Sequence, residues 1–227
     1  MDVSKDVLIT GCDTDLGRTI AENFSHAGHR VIVSGRQRDD LEVLAKELDA
    51  DAIVVDTADA AALAAAHNQF PAHLDTVVNV PTPTRTDADP RTYSLADHAA
   101  EWRDLFDAGL VAAVLAVQVL GDQLRSGGSI VTVIGDGSRE GSAQSAVKAA
   151  VSDWTAGQAH HFGVRGITVN AVAVGRASEP GYDGLGLTSP SVSAEIARLS
   201  LFLSTPAARH ITGQTLHVSH GALANFG

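Results

Sequence analysis

The chain has 227 residues, of which 44% are hydrophobic and 4% aromatic, and it carries a formal net charge of −11. That acidic balance argues against a nucleic-acid or anionic-membrane partner, since either needs a basic footprint. A single cysteine, Cys12, excludes an internal disulfide; with no signal-peptide pattern and no apolar run of about 18 residues, a cytoplasmic protein that does not cross a membrane is expected.

Taken in order, the sequence alternates short aliphatic runs with amphipathic stretches, and its length suits one core, hence a single domain over 1–227. Val7, Leu8 and Ile9 predict a strand buried on both faces, broken at Thr10-Gly11. From Leu16 a helical pattern follows through Ile20, Phe24 and Ala27. A strand turning through glycines into a helix brings backbone N–H groups and a positive helix end together, the outline of a phosphate cradle. Here the middle small position of the loop is Asp15, and Asp13 stands two residues earlier. Two carboxylates beside a diphosphate repel it, and Arg18 and Arg36 are the cations placed to offset them.

Val31 to Val33 predicts a second strand ending in Ser34-Gly35-Arg36. Asp39 or Asp40 can cap a helix through Leu41, Leu44 and Leu48. A third strand over Ile53-Val54-Val55 ends at Asp56, an alanine-rich helix covers 58–70, and a fourth strand covers 76–80. The segment PTPTRTDADP (81–90) reads as a loop. Residues 96–124 predict one long helix, with an apolar face broader than packing on a sheet requires. A fifth strand (129–134), a second long helix (142–162), a sixth strand (166–174), a loop (175–190), a helix (192–203) and a last strand (215–218) complete the chain. Repeated βαβ units of this kind imply a doubly wound α/β domain, a seven-stranded parallel sheet with helices on both faces, and ligands at the carboxyl ends of the strands.

Several stretches, in order and over essentially the whole chain, resemble the short-chain dehydrogenase/reductase family, of the type that includes ketoacyl reductases. Thr10-Gly11 and Gly17 sit where that family's TGxxxGxG loop begins and ends. SGR (34–36) looks like the second-strand ending of members that favour NADP, VVDTAD around Asp56 is similar to the adenine-contacting turn, and DTVVNVPT (75–82) occupies the place of the NNAG strand end, with Asn79 as its first asparagine. GSIVTV (128–133) looks like the serine-bearing strand, FGVRGITVNAVAVG (162–175) matches the approach to the PG turn, and ITGQTLHV (211–218) matches the last strand. The resemblance implies a Rossmann-type fold and an NAD(P)-binding crevice with Gly11, Asp15, Leu16, Gly17, Arg36, Asp56, Asn79, Lys148 and Gly175 along it. Arg36 would pair with a 2′-phosphate, so NADP(H) is the implied cofactor, bound weakly or not at all because the loop is eroded; Pro81 and Thr82 would crowd it further.

The family reaction moves a hydride between nicotinamide and a carbonyl carbon, with a tyrosine as acid/base, a lysine one turn later, a serine and an asparagine. Lys148 lies in the lysine's place, followed by Ala149-Ala150. Gln144 holds the tyrosine's place, Gly135 the serine's and Gly109 the asparagine's, and Ser138 is the nearest substitute hydroxyl. An amide has no proton to exchange near neutral pH, so ordinary dehydrogenase chemistry is expected to be lost. Tyr182, in the loop over the substrate side, is a remote alternative. Ser142, Ser145, His160 and His161 read as ordinary helix residues, and no metal site is expected. In the family the two long helices pair subunits. The expectation is therefore a binding or structural subunit of a dimer or tetramer, homomeric or formed with an active relative, joined through 96–124 and 142–162. The rival expectation is an active NADP(H)-dependent carbonyl or ketoacyl reductase with a displaced proton donor.

Overall fold

The computed structural model describes residues 4–82, 92–135, 142–174 and 191–218. Seven strands, β1 (Asp6–Ile9), β2 (Arg30–Gly35), β3 (Asp51–Val54), β4 (Leu74–Asn79), β5 (Leu124–Ile134), β6 (Thr168–Val174) and β7 (Thr215–Val218), make one sheet in the order β3-β2-β1-β4-β5-β6-β7. Every pairing is parallel. The order reverses between β1 and β4, which opens a crevice at the carboxyl ends of those two strands.

Alternation along the strands divides the core into two layers. Val7 and Ile9 of β1, with Val31 and Val33 of β2, pack with Ile20, Phe24, Leu41, Leu44 and Ile196. These come from α1 (Asp15–His26), α2 (Arg38–Leu48) and α7 (Val192–Leu203). Leu8 and Ile32, on the opposite face, pack with Leu63, Ala116, Leu120 and Phe162. Those belong to α3 (Ala60–Ala66), α5 (Ala112–Leu120) and α6 (Ala143–Gly163).

Several boundaries differ from the sequence reading, each for a local reason. Gln37, not Asp39 or Asp40, precedes α2, and the two aspartates lie in its first turn, where their charge favours the helix end. The helix expected over 58–70 is split: Asp59 caps α3 by accepting from Ala61 and Ala62 N–H, and a 3-10 turn at His67–Gln69 ends it. The fifth strand starts at Leu124, earlier than expected, because Leu74 and Leu124 pair ahead of a register irregularity. The long helix expected over 96–124 has a π-helical turn, Asp107–Val111, between α4 (Leu95–Phe106) and α5, and it finishes in a 3-10 turn at Gly121–Gln123.

This helical stretch, Leu95–Gln123, is 29 residues long with a best-window mean hydropathy of 1.7, long and apolar enough to cross a membrane by composition alone. About 33% of that window is buried within the fold, where Ala112, Ala113, Ala116, Val117 and Leu120 pack.

Candidate active site and cofactor crevice

The glycine loop is shaped by close backbone packing. Gly11 has φ +64°, and a Cβ there would lie 2.4 Å from the Val80 carbonyl oxygen and 3.0 Å from Thr82 Cγ2. A Cβ on Gly17 would lie 2.1 Å from the Gly11 oxygen, so both ends of the loop require glycine. Thr14 ties the turn together: its hydroxyl donates to Gly11 O at 2.7 Å and accepts from Gly17 N–H at 3.1 Å, capping α1. Across the crevice, Val80 N–H donates to Thr10 Oγ1 at 3.1 Å, which joins the ends of β1 and β4.

The two loop carboxylates have different surroundings. Asp15 is exposed in the first turn of α1, where the helix end favours its charge. The Asp13 side chain is only 3% exposed and faces the end of β2. Its Oδ2 accepts from the Arg36 backbone N–H at 3.1 Å and lies 3.8 Å from Arg36 Nε. Arg18 does not serve the loop as expected: it reaches Glu47 on α2 at 2.9 Å. Leu16 packs into the core layer with α1. Cys12 is fully buried, its thiol donates to Ile9 O at 3.2 Å, and burial pushes its pKa up to about 12.

Asp56 closes a local turn at the end of β3 by accepting from Ala58 N–H at 2.9 Å. Asn79 donates to Thr132 Oγ1 at 3.4 Å, and its Oδ1 is buried with no hydrogen-bond partner among the described residues. Asn79, Thr10, Thr132 and Gly109 line a cavity of about 10 Å³. The structure thus brings the asparagine of β4 and the helix position 109 to one small space.

Gly109 lies in the π-helical turn, and a Cβ there would meet Val147 Cγ1 of α6 at 2.6 Å. Gly135 follows β5 directly, and a Cβ there would meet nothing within 4 Å among the described residues. Gln144 and Lys148 stand four positions apart on α6, both half-buried, a spacing that puts them on one helix face. Ser142 caps that helix by accepting from Ser145 N–H at 3.3 Å. His217 of β7 was not a sequence candidate: the register that sets it beside Ala173 of β6 has no signature in the local sequence. Its imidazole is held below the ordinary value of 6.5, by partial burial first and by the Lys148 charge second. Ser138, Gly175 and Tyr182 lie outside the described residues. Among the described residues no three His, Cys, Asp or Glu side chains converge on a point that could hold a metal ion.

Comparison with known proteins gives this crevice its context. The family model described as enoyl-(acyl carrier protein) reductase matches residues 13–222. This chain belongs to the short-chain dehydrogenase/reductase family. Among relatives of that family, a Mycobacterium tuberculosis (strain H37Rv) protein named "Putative oxidoreductase Rv1856c" is 60% identical over 222 residues, covering 98% of this chain and 100% of its own. The 3-oxoacyl-acyl-carrier-protein reductase FabG of Staphylococcus aureus (strain N315) is 31% identical over 249 residues, covering 97% and 99%. A Burkholderia cenocepacia short-chain dehydrogenase solved in complex with NADP is 26% identical with a TM-score of 0.78, over 97% of this chain and 98% of that one. The ketoacyl-reductase-like type of the short-chain family, and the doubly wound parallel sheet, are thus established.

Proposed function

We propose that this chain is a short-chain dehydrogenase/reductase family member, a single domain over 1–227, impaired in the family's hydride-transfer chemistry and acting as a binding or structural subunit of an oligomer. The observation that carries the reading is at the contact between the π-helical turn and α6. The place of the family asparagine is Gly109, filled by Val147, and the place of the phenol is the amide of Gln144, one turn before Lys148. With Gly135 after β5, neither a proton donor nor the serine hydroxyl stands beside the retained lysine at the positions the family uses.

The crevice keeps features that fit a dinucleotide. Gly11 and Gly17 leave backbone where any side chain would clash, α1 begins at the loop, and Asp13 Oδ1 is a buried acceptor without a partner among the described residues. The loop Gly11–Gly17, with Asp15 and Leu16, would take the pyrophosphate, Asp56 and Arg36 the adenosine half, and Asn79, Lys148 and Gly175 the nicotinamide half. When bound, the dinucleotide supplies the hydride. Lys148 would orient its ribose, and Gln144 could only donate or accept a hydrogen bond. The NADP complex of the Burkholderia relative supports a cofactor of the NAD(P) class. Thr82 beside Gly11 supports weak rather than tight binding. The single cysteine, Cys12, buried and unpaired, suits a cytoplasmic setting.

Assembly is supported by the surface of the two long helices. A groove of about 290 Å³ runs between α5 and α6, lined by Val117, Gln118, Trp154, Phe162 and Val164 among others. Leu95 at 90% and Trp102 at 42% exposure stand on α4, and Val164 at 88% stands at the end of α6. A second copy, or an active relative with the same helices, is the partner of matching chemistry.

The test is turnover on ketones and ketoacyl thioesters with NADH and NADPH. The expected result is none for the wild type, with measurable reduction once Gly135→Ser and Gln144→Tyr are combined. Wild-type turnover abolished by Lys148→Ala would overturn the reading. It would favour an active carbonyl reductase with a displaced proton donor.

A further inference from the structure

The end of β2 and the glycine loop meet through Asp13, and the meeting is unusually close. A Cβ built on Gly35, the last residue of β2, would lie 2.5 Å from Asp13 Oδ1 and 2.9 Å from its Cγ. The carboxylate of one element therefore fills the volume in which a side chain of the other would stand. Oδ2 is engaged by Arg36, through the backbone N–H at 3.1 Å and Nε at 3.8 Å. Oδ1 is buried and has no hydrogen-bond partner among the described residues. A buried carboxylate with an unmet acceptor calls for a donor.

The position identifies the donor. In doubly wound folds an acidic side chain near the end of β2 accepts from the ribose 2′-hydroxyl of a dinucleotide, whereas an arginine there receives a 2′-phosphate. Here the strand ends Ser34-Gly35-Arg36, with no acid of its own, and Arg36 faces a carboxylate already in place. A 2′-phosphate approaching Arg36 would meet Asp13 at the same point, and like charges in a shielded site repel strongly. A ribose carrying free hydroxyls brings a donor instead. The Asp13 carboxylate, held at the end of β2 by the Arg36 N–H, is the acceptor placed for it.

We propose that Asp13 supplies from the glycine loop the acidic group that β2 lacks, so that this chain discriminates in favour of NAD(H) and against NADP(H). The inference rests on the reading that the crevice binds a dinucleotide, and it reverses the preference that Arg36 alone suggests. Asp13 is a specificity residue here, Arg36 its positioning partner, and Gly35 the gap that admits it.

Calorimetric titration of the full chain with NADH and, separately, NADPH tests this without reference to turnover. The wild type is expected to bind NADH about tenfold more tightly than NADPH. Asp13→Asn keeps the shape and an acceptor for the Arg36 N–H but removes the charge. It should strengthen NADPH binding by about tenfold and erase the preference. Asp13→Ser, smaller and neutral, should act in the same direction, and thermal melts of both variants confirm that they fold. Wild-type binding that favours NADPH, or a ratio unchanged in folded Asp13→Asn, overturns the assignment while leaving the dinucleotide reading intact. Binding of neither cofactor overturns both.

Discussion

Gly109 and Val147 are interlocked: the valine methyl of α6 occupies the space that a side chain on the π-helical turn would need, 2.6 Å from the Cβ position. Installing the family asparagine at this point is therefore a packing change as well as a chemical one. Gly109→Asn should destabilise the fold by about 1–3 kcal/mol, the usual cost of overpacking. Adding Val147→Ala should recover part of that loss by opening the space. Urea midpoints of the single and double variants read this directly. An asparagine accepted at no cost would show that the helices part more easily than their contact indicates.

Cys12 gives a second outcome. With its thiol buried and its pKa near 12, almost no thiolate forms at pH 8, and the sulfur is out of reach of reagents. A disulfide-exchange reagent should fail to label the native protein at that pH and label it fully in denaturant. Fast native labelling would mean that the loop between β1 and α1 opens readily.

For His217 the sign of the pH dependence follows from the direction of its shift. The folded chain holds the imidazole below 6.5, so the unfolded chain takes up the proton at the higher pH. Stability that depends on the neutral ring is complete above about pH 6.5 and is lost as pH falls through the folded value. The ring is largely exposed, so the slope is shallow and solvent-screened. His217→Gln should flatten it in a series of melts. By NMR titration, Lys148→Met should move His217 back up, though not completely, because burial is the larger cause.

The groove between α5 and α6 is open to a direct test of assembly. Gln118 and Val164 line it from exposed positions, so Gln118→Glu with Val164→Glu adds negative charge to the groove without emptying the core. Light scattering should report an oligomer for the wild type and a single-chain mass for the double variant, with melting little changed. A wild-type monomer would remove the subunit reading.

The sequence exposed most of the fold because its strands announce themselves. Val7 to Ile9, Val31 to Val33 and Ile130 to Ile134 are short, mostly aliphatic runs, and such runs repeat with helices between. Lys148 and Gly11 were assigned from the family resemblance of one helix and one loop, which is local information. What escaped was contact between elements distant in sequence. Arg18 reads as a loop counter-charge until Glu47 of α2 is seen beside it. Asp13 reads as a repulsive intruder until Gly35 shows the gap it fills. The turn at Asp107–Val111 was hidden for a different reason: an apolar periodicity spread over a broad face tolerates one extra residue without losing its pattern.

That extra residue sets a phase. An α-helix advances about 100° per residue, so a one-residue insertion rotates everything before it relative to everything after it. Leu95, Trp102 and Phe106 therefore point where they do because of the π-helical turn, while Ala112 to Leu120 keep their own alignment on the sheet. Deleting one residue from Asp107–Val111 would leave the fold's seven strands untouched and turn the stacked Trp102–Phe106 pair about a third of the way around the helix axis. The surface on one half of this helix and the packing on the other are thus adjustable independently, by length rather than by composition.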